Sequence, residues 1–285
     1  MNNNTINIDA ILPNEMASRA ETVGVKKANL AFLPTLLLSI LAGAFIAIGA
    51  FFSTTVIAGA NDLPYGIVRF LAGLSFSIGL ILVVVGGAEL FTGNNLIVMA
   101  FTSGKVSAQK LLRNWVIVYL GNMIGAVLTA LLMFVTRQYT FGNGTVGLTA
   151  LNIAKSKTGL DFVQALALGI MCNALVCLAV WLCFSARTTT DKILAIIFPI
   201  TAFVACGFEH SVANMYFIPI GIFIRTWGSP QFFEIINKQP ADFSTVSWAN
   251  FFGNLVPVTI GNIIGGAFMV GLVYWFIYLR EKRYE

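Results

Sequence analysis

Charge is what this sequence has least of. Only 10% of its 285 residues are Asp, Glu, Lys or Arg, while 58% are hydrophobic. An average soluble domain carries about 25% charged residues. A chain so poor in charge cannot cover a globular surface with water-seeking groups. That excludes an ordinary soluble enzyme, a nucleic-acid binder and a disordered protein together. Histidine is scarcer still, with His210 the only one. The four cysteines, Cys172, Cys177, Cys183 and Cys206, fall in apolar runs and form no C-x-x-C pair. They read as small hydrophobes between helices, not as metal ligands. A cleavable signal peptide is not evident either, because the first thirty residues are polar and include Asp9, Glu15, Arg19, Glu21, Lys26 and Lys27.

What the sequence has is long apolar runs. Mean hydropathy is +0.84, and a membrane span needs about 20 residues without charge. Phe32 to Ile57 qualifies and is followed by the turn Asn61-Asp62-Leu63-Pro64. Phe70 to Gly104 follows, interrupted by Glu89, then Asn114 to Thr136 and Phe162 to Ala186. Ile193 to Ile224 is interrupted by Glu209-His210, and Phe243 to Leu279 completes the set. Counted as single crossings, these six spans put both termini on one side. That side holds eleven basic residues (Arg19, Lys26, Lys27, Lys105, Lys110, Arg113, Arg187, Lys192, Arg280, Lys282, Arg283) against six on the other. The imbalance predicts cytoplasmic termini. The expected organisation is an amphipathic N-terminal segment over 1–31, three spans over 32–136 and an outer connection over 137–161. Three further spans over 162–279 and a basic tail over 280–285 complete it.

The halves echo one another. Gly121-Asn122-Met123-Ile124-Gly125 and Gly261-Asn262-Ile263-Ile264-Gly265 are both G-N-x-I-G, 140 residues apart. Two glycines at i and i+4 let a neighbouring helix approach closely. Glu89 and Asn94 recur as Glu209 and Asn214, 120 residues on. Three spans followed by three similar spans insert with opposite orientation, giving an inverted repeat whose broken second and fifth helices face each other near the midplane. The expected fold is therefore an all-α membrane protein with a permeation path through the breaks.

Carboxylates at membrane depth are costly. The repeated placement of Glu89 and Glu209 beside a break points to support of the half-helices, with the carboxylates accepting from exposed N–H groups and Asn94 and Asn214 assisting. His210 sits at a break where water must reach, which suits a pore role. Thr92 occupies the matching break and offers a hydroxyl, so that together they suit a small carboxylate or oxyanion. Phe76, Leu80, Leu90, Phe91 and Phe203 flank the breaks as candidate apolar constrictions. Lys155 and Lys157, just before the fourth span, are either solvated charge or a lure for anions. No metal cluster, second histidine or complete hydrolytic triad at depth is present, so neither a cofactor nor an enzyme is expected.

Gly-Ala-Glu-Leu-Phe-Thr-Gly-Asn at 87–94 and Gly-Phe-Glu-His-Ser-Val-Ala-Asn at 207–214 resemble the formate/nitrite transporter family, most closely its formate channels. Arg113-Asn114-Trp115, the run Asn173 to Trp181 and Ile218-Pro219-Ile220-Gly221 extend the resemblance over nearly the whole chain. It implies a homopentamer of aquaporin-like protomers, each with its own pore. The family's central His and facing Thr fall on His210 and Thr92, and its constrictions on Phe76, Leu80, Leu90, Phe91, Val176 and Phe203. The K-x-x-L register of Lys157 to Leu160 favours Lys157 over Lys155 as the vestibule lysine. Asn173 and Asn262 match polar positions that line or brace the pore. The water-channel signature Asn-Pro-Ala is absent, so the shared fold does not imply water conduction.

The expected activity is passive, bidirectional and pH-dependent passage of formate across a bacterial inner membrane, with proton transfer from His210 to the anion. Nitrite, acetate and hydrosulfide fit the same residues, as does a strictly proton-coupled symporter. The segment Asp9 to Val25 has helical periodicity and is a candidate interfacial helix or gate.

Overall fold

The computed structural model describes residues 9–60 and 62–280, so Asn61 of the expected turn and tail residues 281–285 lie outside the described residues. All regular structure among the described residues is helical. Helix α1 (Pro13–Ala28) precedes the first span, α2 (Phe32–Ile57). Next come α3 (Tyr65–Phe76) and α4 (Ile78–Gly86), a break, and the short helices α5 (Phe91–Asn94) and α6 (Val98–Thr102), joined by one 3-10 turn. Helix α7 (Ala108–Val135) closes the first half.

The second half runs α8 (Thr145–Thr158), α9 (Phe162–Ser185), α10 (Thr189–Ala205), a break, and α11 (Ser211–Trp227). A short α12 (Pro230–Ile235) then leads to α13 (Trp248–Ile263), which continues through a π-helical stretch, Ile264–Leu272, into α14 (Val273–Tyr278). Among the described residues, five helical stretches are long and apolar enough to cross a membrane, including α3–α4 together and the last from Pro240 to Tyr278. The remaining apolar stretch is the interrupted pair α10–α11. The chain is an integral membrane protein.

The G-N-x-I-G motifs mark the tightest crossings. A Cβ at Gly125 would collide with the carbonyl of Ile40 in α2, and one at Gly265 with that of Ile170 in α9. Both α7 on α2 and α13 on α9 therefore depend on bare backbone. The breaks are also made by glycine. Gly87 (φ 83°) and Gly207 (φ 75°) take the left-handed conformation that ends α4 and α10. Arg69 in α3 caps α10 from outside, donating Nε–H to the Ala205 carbonyl at 3.1 Å and a second N–H to that of Val204.

The repeat is longer than three spans. Helices α1 and α8 stand in the same place, one before the first span of each half. The 137–161 connection therefore contains a repeat element, α8. Helix α1 lies against the bundle on what is here termed the N-terminal face. Met16, Ala17 and Ala20 pack with Trp181, Val98 and Met99. Arg19 donates to the Phe184 carbonyl at 3.1 Å, and Lys105 pairs with Glu21.

Candidate functional site at the two helix breaks

Where a helix stops inside a bilayer, its freed N–H and C=O groups need protein partners. Here two asparagines supply them. The Phe91 N–H donates to Asn122 Oδ1 at 2.9 Å, and Asn122 Nδ2 donates to the carbonyls of Glu89 (2.9 Å) and Ser39 (2.8 Å). Asn262 repeats the pattern. It accepts from Ser211 N–H at 2.9 Å and donates to the carbonyls of Glu209 (2.9 Å) and Gly169 (2.8 Å). Even the break's own N–H groups correspond, Glu89 donating to the Leu38 carbonyl and Glu209 to that of Leu168, each at 3.2 Å.

The carboxylates do something other than expected. Glu89 and Glu209 bond to side-chain donors instead of capping the half-helices. Lys27 Nζ lies 2.9 Å from Glu89 Oε1 and 2.9 Å from Asn94 Oδ1. Asn94 Nδ2 donates to Glu89 Oε2 (2.7 Å) and Asn114 Oδ1 (2.9 Å), and Asn114 returns to the Lys27 carbonyl at 3.2 Å. In the second half Lys157 Nζ lies 2.8 Å from Glu209 Oε1. Asn214 Nδ2 donates to Glu209 Oε2 (2.6 Å) and Asn254 Oδ1 (2.7 Å), and Asn254 returns to the Lys157 carbonyl at 2.9 Å. The physical reason is order of proximity. The uncharged asparagines sit beside the backbone, and the charges meet one another, which is how a buried carboxylate is best compensated.

Between the breaks lies one polar contact, Thr92 Oγ1 to His210 Nε2 at 3.0 Å. By repeat register His210 corresponds to Leu90, and Thr92 to Val212. They meet because the breaks face each other. The N–H of Ala213 donates to His210 Nδ1 at 3.0 Å, making the ring the N-cap of α11. A backbone N–H can only donate, so Nδ1 carries a lone pair and the neutral ring's proton sits on Nε2, toward Thr92. Asn173 Nδ2 donates to the Thr92 carbonyl at 3.3 Å and the Asn262 carbonyl at 2.6 Å, and Cys177 Sγ reaches the Thr92 carbonyl at 3.3 Å. Asn173 and Asn262 thus brace both breaks.

Apolar groups lie on either side. Phe203 packs over His210 (5.9 Å between centroids) and edge-on against Phe76 (5.6 Å). Phe76 also stacks on Phe217, and Lys157 lies 5.4 Å above the Phe217 ring. Toward the N-terminal face, Leu80 and Leu90 line a cavity of about 540 Å³. Its lining includes Arg19, Lys26, Lys27 and Lys192, with Glu89 the one acid. Phe91 is buried edge-on to Tyr119 and Trp115, and Val176 is buried in α9. Lys155, by contrast, is exposed and donates to the Asp242 carbonyl. All four cysteines are unpaired, and the described residues contain no group of three or more His, Cys, Asp or Glu able to hold a metal.

Lys27, Asn114, Asn122 and Asn254 are the participants that sequence reasoning had not assigned to the site. A signal was available. Lys27-Ala28-Asn29-Leu30 repeats the K-x-x-L of Lys157 to Leu160 at a distance of 130 residues.

Comparison with known proteins gives this geometry a context. The sequence profile of the formate/nitrite transporter family matches residues 14–276. The chain is 47% identical to the formate channel FocA of Escherichia coli K12 over 278 residues, 97% of this chain and 98% of that one. It is 40% identical to FocA of Haemophilus influenzae over 264 residues, 92% and 93% of the two chains. A solved pentameric formate channel with formate bound superposes with a TM-score of 0.84 at 47% identity, covering 88% of this chain and 98% of that one. An ion channel of the same family gives 0.78 at 28% identity, covering 92% and 98%.

Proposed function

Since this chain belongs to the formate/nitrite transporter family, we propose that it is a formate channel, a homopentamer in which every protomer carries its own pore. The observation that carries this reading is the Thr92–His210 contact, a single polar station between apolar walls. Phe76 and Phe203 form the wall toward Lys157; Leu80, Leu90, Phe91 and Val176 form the wall toward Lys27. The setting is a bacterial inner membrane with both termini in the cytoplasm, as the distribution of basic residues favours.

Transport is passive and runs either way. Lys27 and Lys157 draw formate in, and at the centre it takes two donors, Thr92 Oγ–H and His210 Nε2–H. A bare anion leaving across an apolar wall faces a desolvation cost of several kcal/mol. A proton removes most of it. That proton must first enter the ring at Nδ1, breaking the bond from Ala213. The imidazolium then gives its Nε2 proton to the carboxylate, formic acid leaves, and the cap bond re-forms once the remaining proton exchanges back to Nε2.

Proteoliposomes test this directly. The wild-type protein should release formate down its own gradient, faster at lower pH, with reversal set by formate alone. Reversal locked to the proton gradient would replace the channel with a symporter. His210→Asn keeps an N-cap acceptor and removes the ring, so flux should lose its pH dependence. An unchanged pH response would overturn the relay.

A further inference from the structure

A second cavity, of about 500 Å³, lies apart from the break-to-break path. It is walled by the end of α7 and its following loop, the end of α11, and α12. Aromatic rings form one side: Phe134 stacks on Tyr139 (5.4 Å, 8°) and stands 6.3 Å from Trp227. Thr140, Ser229 and Gln231 add polar groups, and Arg137 is the single charged residue of the lining. Among the described residues its guanidinium has no hydrogen-bond or ion-pair partner.

The backbone singles out the same place. Three non-glycine residues of the described chain have left-handed φ: Arg137 (57°), Asn143 (53°) and Asn237 (50°). Arg137 lines the cavity, Asn143 precedes the lining residue Gly144, and Asn237 lies two residues beyond Ile235, also in the lining. Asparagine tolerates this conformation; arginine has no such ease. Arg137 is held in it by its N–H to the Phe134 carbonyl (3.0 Å) and by Thr140, whose N–H and hydroxyl both donate to the Arg137 carbonyl at 2.9 Å. The turn thus fixes an unpaired cation at the rim. Strain of this sort gathers at ligand sites.

Position supplies the chemistry. The cavity sits at the end of a membrane span, where Trp and Tyr mark the bilayer–water boundary. Val135, Trp227 and Ile235 leave its margin apolar and exposed. A ligand complementary to it has an anionic head and an apolar body. We propose that this cavity binds one anionic phospholipid per chain from the leaflet opposite α1, with the lipid phosphate on Arg137 and the acyl chains leaving past Val135 and Ile235. The inference requires only that α7 spans the membrane and is independent of what the pore conducts.

Native mass spectrometry of the delipidated full-length protein, titrated with phosphatidylglycerol or phosphatidylcholine, tests it. Wild type should retain one phosphatidylglycerol per chain in preference to phosphatidylcholine. Arg137→Asn removes the charge but suits the left-handed backbone, so it should fold and hold phosphatidylglycerol at least tenfold more weakly. Ile235→Trp, which fills the cavity and leaves the charge, should weaken binding as well. Unchanged phosphatidylglycerol binding in both variants would overturn the proposal. So would displacement of the lipid by equimolar inorganic phosphate, which would mark a free-anion site. Dissociation of the Arg137→Asn assembly with lipid binding intact would assign the cavity instead to contact between copies of the chain.

Discussion

The clamp around Glu89 and the clamp around Glu209 are each built from a lysine, a glutamate and two asparagines in the same arrangement, yet they differ in access. Lys27 keeps 28% of its side chain exposed and reaches both Glu89 and Asn94, so each amide atom of Asn94 is satisfied. Lys157 is only 13% exposed, sits above the Phe217 ring and bonds Glu209, and Asn214 Oδ1 has no hydrogen-bond partner among the described residues. One clamp opens into a basic cavity; the other is covered by aromatic rings. The repeat has kept what a break in a bilayer must have, satisfied backbone groups and compensated charge. It has let the solvation of the charge drift.

That contrast can be broken most forcefully at the covered clamp. Lys157→Met strands the Glu209 carboxylate where water is scarce, and should cost about 3–5 kcal/mol. Lys27→Met, at the open clamp, should cost about 1–3 kcal/mol. Thermal unfolding in detergent ranks them, and Glu209→Gln added to Lys157→Met should recover part of the loss. Equal losses for the two lysines would erase the distinction in access.

The braces should behave alike where the clamps do not. Asn122→Ala and Asn262→Ala each orphan the N–H and the carbonyl of one break, at about 1 kcal/mol or more for each group. The two losses should match to within roughly 1 kcal/mol, and a larger gap would show that the breaks are not equivalently supported. A kinetic comparison comes next. Lys27→Gln should slow formate loading from the N-terminal face by roughly tenfold at low ionic strength, with the effect fading as salt rises. Salt-independent slowing would argue for a local structural fault.

The smallest effect concerns how the two half-helices start. Helix α3 has Pro64 at its N-cap position and no side-chain cap, whereas α10 has a Thr188–Asp191 capping box. The Thr188 backbone N–H, then its hydroxyl, then the Arg187 backbone N–H hold the Asp191 carboxyl below its usual value. A depressed carboxyl stabilises the fold above its unfolded pKa, and that contribution disappears as pH falls through the folded value. Asp191→Asn should therefore lower stability slightly at neutral pH and leave it unchanged in strong acid. No counterpart of this pH dependence should be found at the start of α3.

Much of this arrangement was legible in the sequence. Apolar runs gave the spans, Glu89 and Glu209 marked the breaks, and the G-N-x-I-G pair marked the close crossings at Gly125 and Gly265. His210 and Thr92 were singled out and do meet. The bracing role was placed for Asn173 and Asn262 through the resemblance, but Asn122 was passed over and Glu89 and Glu209 were read as the supports, because a carboxylate at depth draws attention and an asparagine in a glycine motif does not. Lys27 was counted among surface charges, since it belongs to a helix outside the spans and its partner lies 62 residues away. Only the repeat offset could have linked it to Lys157. The exchange of roles, asparagine for backbone and glutamate for lysine, depends on three-dimensional proximity that spacing alone does not encode.

The asparagine braces bear on how such a protein can change over evolutionary time. Because Asn122 and Asn262 hold the breaks through main-chain atoms, the side chains at 90–92 and 211–212 carry none of that support, and His210 adds only the cap bond from Ala213. In the repeat register Leu90 matches His210, Phe91 matches Ser211 and Thr92 matches Val212, so the two turns differ at every one of these positions on the same kind of support. A new cargo would then require rewriting a triplet, with the frame inherited intact.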